Sequence, residues 1–218
     1  MKTILLTAAI GVAFALGTTL EANATITTYT DEPVFKTKIM SGYYLEDFHD
    51  VTLGEDLGLN MNYAGFGYTY SIKSTLTAEL PAISGLYGVE EAISVSYAYD
   101  SLVVDFTSGN VTAVGGIAYL TGKDGKPFTG MVKVTLRDGT HVTTDFKNFF
   151  GFTGAVIDSL TITSDLTQGP TIFNFVSLDN FYVGTAVPEP STFTAGLLLA
   201  LLIGFHWALR ERKQAKNS

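Results

Sequence analysis

The feature that most limits the fold of this chain is a pair of alternating segments around Asp138-Gly139. Polar and apolar residues alternate over 132–136 and again over 141–146. Successive side chains of a strand point to opposite faces, so this period predicts two half-buried strands. Glycine tolerates the positive φ that tight hairpin turns require, and Asp-Gly therefore predicts such a turn. We expect an antiparallel β-hairpin here.

Similar signals recur along the chain, and no amphipathic helical stripe longer than about two turns lies between Thr25 and Val187. Lys123-Asp124-Gly125-Lys126 predicts a second turn, after a strand over Val111–Leu120. About nine or ten short strands with turns between them are typical of a sandwich or a barrel. We predict an all-β fold, a jelly-roll-like β-sandwich, with a closed barrel as the alternative and a long loop over Ser41–Asn60. The other predicted strands are Tyr43–Phe48, Gly67–Ser74, Ile93–Tyr99, Leu102–Phe106, Val156–Thr163 and Ile172–Val183.

The N-terminal stretch has the three zones of a secretory signal peptide. Lys2 precedes an apolar run over Ile4–Leu16, and Ala22-Asn23-Ala24 supplies the small residues of a cleavage site. We expect cleavage after Ala24, with an uncleaved anchor as the alternative. Residues 1–24 are therefore predicted to be a signal peptide, and residues 25–186 an exported β-sandwich domain.

A second apolar stretch lies near the C-terminus and is followed by basic residues. The run Phe193–Leu209, together with Ser191 and Thr192, would form a helix roughly 28 Å long, close to a hydrocarbon core of about 30 Å. The basic residues that follow favour a cytoplasmic C-terminus. We predict a single transmembrane helix over residues 192–209 and a cytoplasmic tail over residues 210–218.

Pro188, Glu189 and Pro190 come directly before this predicted helix. Two prolines around one residue prevent a helix and keep the linker extended and accessible. With the apolar stretch and the basic end at Arg210 and Arg212, residues 187–218 resemble the PEP-CTERM sorting signal of bacterial envelope proteins. The resemblance implies that an exosortase reads the Pro-Glu-Pro motif, that Arg210 and Arg212 hold the segment in register, and that the tail is removed. An ordinary single-span anchor with a proline-containing stalk is the alternative.

Charge and composition exclude several classes of function. The chain has 21 Asp and Glu against 13 Lys and Arg, a formal net charge of −8, so nucleic acid is not an expected partner. It has no cysteine, which excludes disulfides, thiolate nucleophiles and thiolate metal sites. His49 and His141 stand in no Gly-x-Ser-x-Gly or His-Glu-x-x-His motif. We therefore expect a protein that is not an enzyme.

The second half of the body contains Phe149-Phe150-Gly151-Phe152-Thr153 and Leu178-Asp179-Asn180-Phe181-Tyr182. Residues 93–184 resemble the end of many PEP-CTERM bodies, which are similar to galactose-binding-like and carbohydrate-binding-module jelly rolls. That resemblance implies a structural calcium shared by Glu46 and Asp179, and carboxylate oxygens suit calcium. The alternative is that Asp179 caps a turn and Glu46 is solvated.

Aromatic residues are concentrated between Tyr63 and Tyr70. Tyrosine rings stack against sugars, which makes Tyr68 and Tyr70 candidate ligand-binding residues. Phe66 shares their parity, and three aromatics on one face of a strand are more typical of core packing.

The sequence thus predicts an exported, non-catalytic surface or extracellular-matrix protein of a Gram-negative bacterium, with a structural or adhesive role. It would pass through the inner membrane with its C-terminus in the cytoplasm, be processed by an exosortase, and reach the cell surface or outer envelope. The first alternative is a carbohydrate-binding module that retains surface polysaccharide, and the second is a polysaccharide hydrolase. The expected partners are exosortase, the membrane before processing, and extracellular polysaccharide; the candidate cofactor is structural calcium.

Overall fold

The computed structural model describes residues 25–75, 85–89, 91–98, 100–165, 174–188 and 201. Residues Ala24–Val187 form one compact unit, and a second unit, Met1–Asn23 with Pro188–Ser218, lies almost wholly outside the described residues. The predicted signal peptide and cytoplasmic tail fall outside them, as does the predicted transmembrane helix except for Leu201. Within the described part, no helix is both long enough and apolar enough to span a bilayer.

The described residues form fifteen strands and one short helix. The large sheet has the order β1-β13-β9-β15-β7-β6-β3, with β10 paired to β9 and β2 paired to β15; the small sheet has the order β12-β11-β14-β8-β5-β4. The elements are β1 (Thr27–Tyr29), α1 (Glu32–Lys36), β2 (Tyr44–Glu46), β3 (Asp56–Gly58), β4 (Asn60–Gly65), β5 (Tyr68–Ser74), β6 (Leu86–Val89), β7 (Ala92–Val95), β8 (Leu102–Phe106), β9 (Ala113–Thr121), β10 (Pro127–Phe128), β11 (Met131–Leu136), β12 (His141–Asp145), β13 (Phe149–Thr153), β14 (Ser159–Ser164) and β15 (Phe175–Gly184).

The two sheets pack on one another through a shared core. Val132 and Val134 of the small sheet and Val176 and Leu178 of the large sheet are fully buried in the same cluster. Each such side chain contributes about 1.5–3 kcal/mol by leaving water. The all-β prediction is confirmed, and the two sheets form a β-sandwich. Since each described sheet ends in two edge strands, the closed-barrel alternative is wrong for these residues.

The predicted hairpin around Asp138-Gly139 is confirmed. Strands β11 and β12 pair with Val134 opposite Val142. Gly139 has φ 92°, and the Thr140 amide donates to Asp138 Oδ1 at 2.9 Å. The second predicted turn also forms, between β9 and β10, with Gly125 at φ 74°. Both turns need the positive φ that glycine supplies.

The segment Ser41–Asn60 differs from the predicted long loop, because it contains β2 and β3. Strand β2 pairs with β15, where Glu46 lies opposite Phe181. Strand β3 pairs with β6 at the edge of the large sheet. Strand β2 lies within the predicted strand Tyr43–Phe48, whereas β3 is three residues long and too short for an alternating pattern to be recognised.

Helix α1 covers one half of the outer face of the large sheet. Asp31 caps it by accepting from the Val34 amide at 2.8 Å, and Phe35 is fully buried. The Phe35 ring fits because Gly115 and Gly151 lie beneath it. A Cβ on these two glycines would lie 3.1 and 2.7 Å from the ring. The other half of this face carries the polar residues described next.

Candidate functional site

Polar side chains form a row on the half of the outer face of the large sheet that lies away from α1. The register places Ser94 opposite Ser177, and Ser177 opposite Tyr119. Ser177 donates to Ser94 Oγ at 3.0 Å, and the hydroxyls of Thr121 and Ser177 lie 2.9 Å apart. Ser94 and Ser177 are fully buried. A satisfied, buried hydroxyl network of this kind holds strands β7, β9 and β15 rigidly together.

Beside this network lies a pocket of about 250 Å³, here called the Tyr119 pocket. It combines acidic, basic, aromatic and aliphatic groups, and the loop after β9 contributes one of its walls. Its lining residues are Leu53, Glu91, Tyr119, Asp124, Gly125, Lys126, Pro127 and Lys147.

Tyr119 is 2% exposed and forms the inner wall of the pocket. The Lys147 ammonium lies 4.8 Å from the centre of its ring, a cation–π contact. Burial raises the pKa of the Tyr119 hydroxyl above its ordinary value, and the nearby charges of Asp179 and Glu91 raise this pKa further. The hydroxyl therefore stays protonated. Among the described residues this hydroxyl makes no hydrogen bond.

Asp179 is a carboxylate on a strand that is otherwise mostly apolar, and it is 9% exposed. Burial raises its pKa, against the opposing effects of Lys147 and of a hydrogen bond from the Asn180 amide; Glu91 and Asp47 raise it further. Two of these charged groups, Lys147 and Glu91, line the Tyr119 pocket. Asp179 is thus electrostatically part of the site.

Three residues at or near the pocket have positive φ. Glu91 has φ 56°, Lys147 has φ 59°, and Asn180, next to Asp179, has φ 47°. Residues other than glycine seldom adopt positive φ, and the cost is of order 1–3 kcal/mol each. Each position has a local reason: Glu91 lies in the turn between β6 and β7, Lys147 in the turn between β12 and β13, and Asn180 at a β-bulge of β15.

Tyr68 and Tyr70, the candidate sugar-stacking residues, are 8% and 2% exposed. The Tyr70 ring stacks on Tyr63 at 5.0 Å and meets Phe181 edge-on at 5.5 Å. The core-packing interpretation of this stretch is therefore the one that the structure shows. The faces of Tyr70 are occupied by other rings of the protein, so a sugar cannot stack there.

Glu46 and Asp179, the residues proposed to share calcium, have separate partners. Glu46 accepts from the Tyr44 hydroxyl at 2.5 Å and from the Phe48 amide at 3.2 Å. The charged neighbours of Asp179 are Lys147, Glu91 and Asp47. The described residues contain no group of three or more His, Asp or Glu side chains suited to a metal. The calcium site stays a prediction.

Of the sorting motif, Pro188 is described, whereas Glu189, Pro190, Arg210 and Arg212 lie outside the described residues. The chain before Pro188 is fixed to the segment after α1. Met40 donates its amide to the Thr185 carbonyl, and Val187 donates to the Lys38 carbonyl, both at 2.8 Å.

Sequence reasoning found Asp179 but missed Tyr119, Lys147 and Glu91. Tyr119 lies in an apolar strand, where it looks like an ordinary core residue. Lys147 and Glu91 lie in turns, where charged residues are common. The sequence signal for this site was Asp179, an acidic residue within the mostly apolar strand β15.

No protein-family model matches the chain, and no curated protein matches it. Similar solved structures include the CBM51-2 and INT domains of ZmpB from Clostridium perfringens, with 12% identity, 84% of this chain and 42% of that chain covered, and a TM-score of 0.37. Another is an exo-β-1,3-galactanase from Phanerochaete chrysosporium with galactose, with 12% identity, 66% and 30% covered, and a TM-score of 0.26. The chain spans less than half the length of either protein. Both TM-scores lie below 0.5, so neither likeness establishes a fold or a ligand for this chain.

Proposed function

We propose that this β-sandwich binds a neutral carbohydrate unit in the Tyr119 pocket without chemically changing it. The observation that carries the proposal is that Tyr119, Lys147 and Glu91 line one pocket, with the Lys147 ammonium 4.8 Å from the centre of the Tyr119 ring. Binding sites for small molecules combine apolar walls with a few fixed polar groups, and this pocket has both.

The charges of the pocket favour a neutral ligand. Lys126 and Lys147 balance Glu91 and Asp124 in its lining. Carboxylates accept hydrogen bonds and ammonium groups donate them. The pocket can therefore both accept a hydrogen bond from a sugar hydroxyl and donate one to it. An anionic ligand would meet the acids, including the nearby Asp179.

The size of the pocket favours a single small ring. Its volume of about 250 Å³ lies below the roughly 300–1,000 Å³ of typical small-molecule pockets. Phe146, which precedes Lys147, is an exposed aromatic residue with a positive φ of 27°. An exposed ring beside a polar pocket offers an apolar surface to the adjoining unit of a chain.

A glycan array tests this proposal, followed by titration calorimetry on each retained glycan. We expect Asp179→Asn and Lys147→Met to weaken binding at least tenfold, or about 1.4 kcal/mol. Asp105→Asn is the matched control, since Asp105 pairs with Lys73 on the small sheet. Its affinity should equal that of the unmodified protein. Retention of no glycan, or equal affinity in all variants, would overturn the proposal.

The same glycans distinguish binding from hydrolysis. After prolonged incubation we expect no new reducing ends. Released sugar that disappears in Glu91→Gln would replace the binding proposal with a hydrolase.

The jelly-roll arrangement, export, and sorting by an exosortase to the cell surface or matrix belong to this proposal as its setting. Export and sorting are supported by the sequence features of the two ends of the chain, and the jelly-roll arrangement by the two antiparallel sheets that share one core. In that setting the pocket would retain surface polysaccharide. We expect an intact mass that corresponds to a body starting at Thr25 and ending between Pro188 and Pro190, in extracellular fractions from the native host. A mass that includes the tail through Ser218 would mean a plain membrane anchor.

A further inference from the structure

Strand β4 forms a free edge of the small sheet. It pairs with β5 on one side, and the order of the described sheet ends with it. No charged residue occurs from Leu57 to Ile72, a stretch that includes all of β4. A chain with a net charge of −8 therefore presents an uncharged zone at this edge.

The hairpin between β4 and β5 determines which backbone groups are free. Its loop is Phe66-Gly67, with φ 53° and 86°, and Gly65 lies opposite Tyr68. In such a hairpin the closing pair is hydrogen-bonded and the pairs then alternate. Every second residue of β4 therefore directs its N–H and C=O away from β5. These residues are Asn60, Asn62 and Ala64.

Nothing in the described part of the chain blocks this edge. Beyond the pairing with β5, no hydrogen bond of the described residues involves the backbone of Asn60, Asn62 or Ala64. All three side chains are exposed. Natural edge strands are usually protected by charged residues, proline or a bulge. The opposite edge, β12, carries Asp145 and His141, whereas β4 carries no such residue.

We propose that β4 pairs antiparallel with β4 of a second copy of this chain, across a two-fold axis at Asn62. In this register Asn62 lies opposite its own counterpart, and Asn60 lies opposite Ala64. The free N–H and C=O groups of both strands are then satisfied, and the two six-stranded sheets become one.

Two exposed apolar side chains favour a second copy as the occupant. Phe66 is 76% exposed and Leu59 is 48% exposed, and they lie at opposite ends of β4. The two-fold register brings Phe66 of each copy beside Gly58 and Leu59 of the other. Both ends of the interface thus gain apolar contact from residues that are exposed in the single chain. The absence of charge there also avoids repulsion between two acidic copies.

Cysteine crosslinking tests the register directly, because the chain has no cysteine of its own. In the proposed pair the two Cα atoms at position 62 are about 5.5 Å apart, within the range of a disulfide. Asn62→Cys, in the protein as recovered from expressing cells, should form a covalent dimer under mild oxidation. Thr143→Cys, at an exposed position of β12, is the matched control and should remain largely a monomer. Equal crosslinking of the two variants, or none at position 62, would overturn the proposal.

Sedimentation equilibrium provides a second measurement without crosslinking. The mass of the unmodified protein should rise toward that of a dimer as its concentration approaches about 1 mM, the range of weak association. Asn62→Lys should remain a monomer and keep the circular dichroism spectrum of the folded protein. Thr143→Lys should dimerise like the unmodified protein. An unmodified protein that stays monomeric, or an Asn62→Lys variant that dimerises, would contradict the pairing. No sugar is present, so the result is independent of the Tyr119 pocket.

Discussion

At the scale of single residues, the buried carboxyl of Asp179 is a cost to stability beside the Tyr119 pocket. Asp179 is buried with a raised pKa, so its charged form is unfavourable in the fold. Natural proteins accept such costs at sites where activity needs them.

Asp179→Asn should therefore stabilise the protein at neutral pH, by about 0.5–2 kcal/mol. The folded-state pKa of Asp179 is raised, so the folded chain holds the proton more tightly than the unfolded chain. Stability is then lost as pH rises from about 4, the unfolded pKa of Asp, through the folded pKa. The advantage of Asp179→Asn should grow over that window and then stay constant. Urea unfolding at a series of pH values measures it, with Asp105→Asn as the control.

Lower stability of Asp179→Asn at pH 7 would mean that the carboxylate is structural. The contacts with Lys147 and with the Asn180 amide would then outweigh the cost of burial.

At the scale of elements, the five-residue helix α1 covers one half of the outer face of the large sheet. Phe35 packs against the rings of Tyr29, Phe149 and Tyr182. The Tyr182 hydroxyl donates to Glu32 of the helix at 2.6 Å. These contacts hold α1 over the glycine-lined half of the outer face. The Tyr119 pocket lies on the other half.

Phe35→Ala should cost about 3–5 kcal/mol of unfolding free energy, because the ring is fully buried and its loss leaves a cavity. Val34→Ala, at the exposed neighbouring position, should change stability by less than about 0.5 kcal/mol. Denaturant unfolding of the two variants gives the comparison. If Phe35→Ala costs no more than Val34→Ala, α1 does not hold this face closed.

At the scale of the whole molecule, residues 185–187, just before the Pro-Glu-Pro motif, are hydrogen-bonded to the rest of the described domain. The Ala186 amide donates to Thr112 Oγ1 at 2.8 Å, and the Tyr68 and Thr185 hydroxyls lie 3.0 Å apart. With the bonds of Met40 and Val187, these contacts anchor residues 185–187 to the rest of the domain.

A chain that ends at Val187 should therefore keep its thermal midpoint. A chain that ends at Gly184 should lose on the order of 3 kcal/mol, since several hydrogen bonds of about 0.5–1.5 kcal/mol each are removed. Thermal unfolding of the two truncated forms checks this. Equal midpoints would show that residues 185–187 contribute nothing to stability.

Local patterns in the sequence determined the class of fold and the positions of most strands. The alternation in β8, β11 and β12 and the Asp-Gly turns at Gly125 and Gly139 depend on adjacent residues, and so they could be recognised one segment at a time. Among the strands that were missed, β3 is short and the fully buried β13 lacks alternation.

Only the tertiary structure decided which strands are neighbours. A period of two tells which residues share a face but not which strand lies alongside. The placement of β15 between β9 and β7 therefore could not be derived from the pattern, and it is this placement that brings Tyr119, Asp179 and Glu91 to one place. The same pairing leaves β4 at an edge. Residues far apart in the chain meet only when the sheet order is known, and for that reason the sequence determined the elements whereas the structure determined the site.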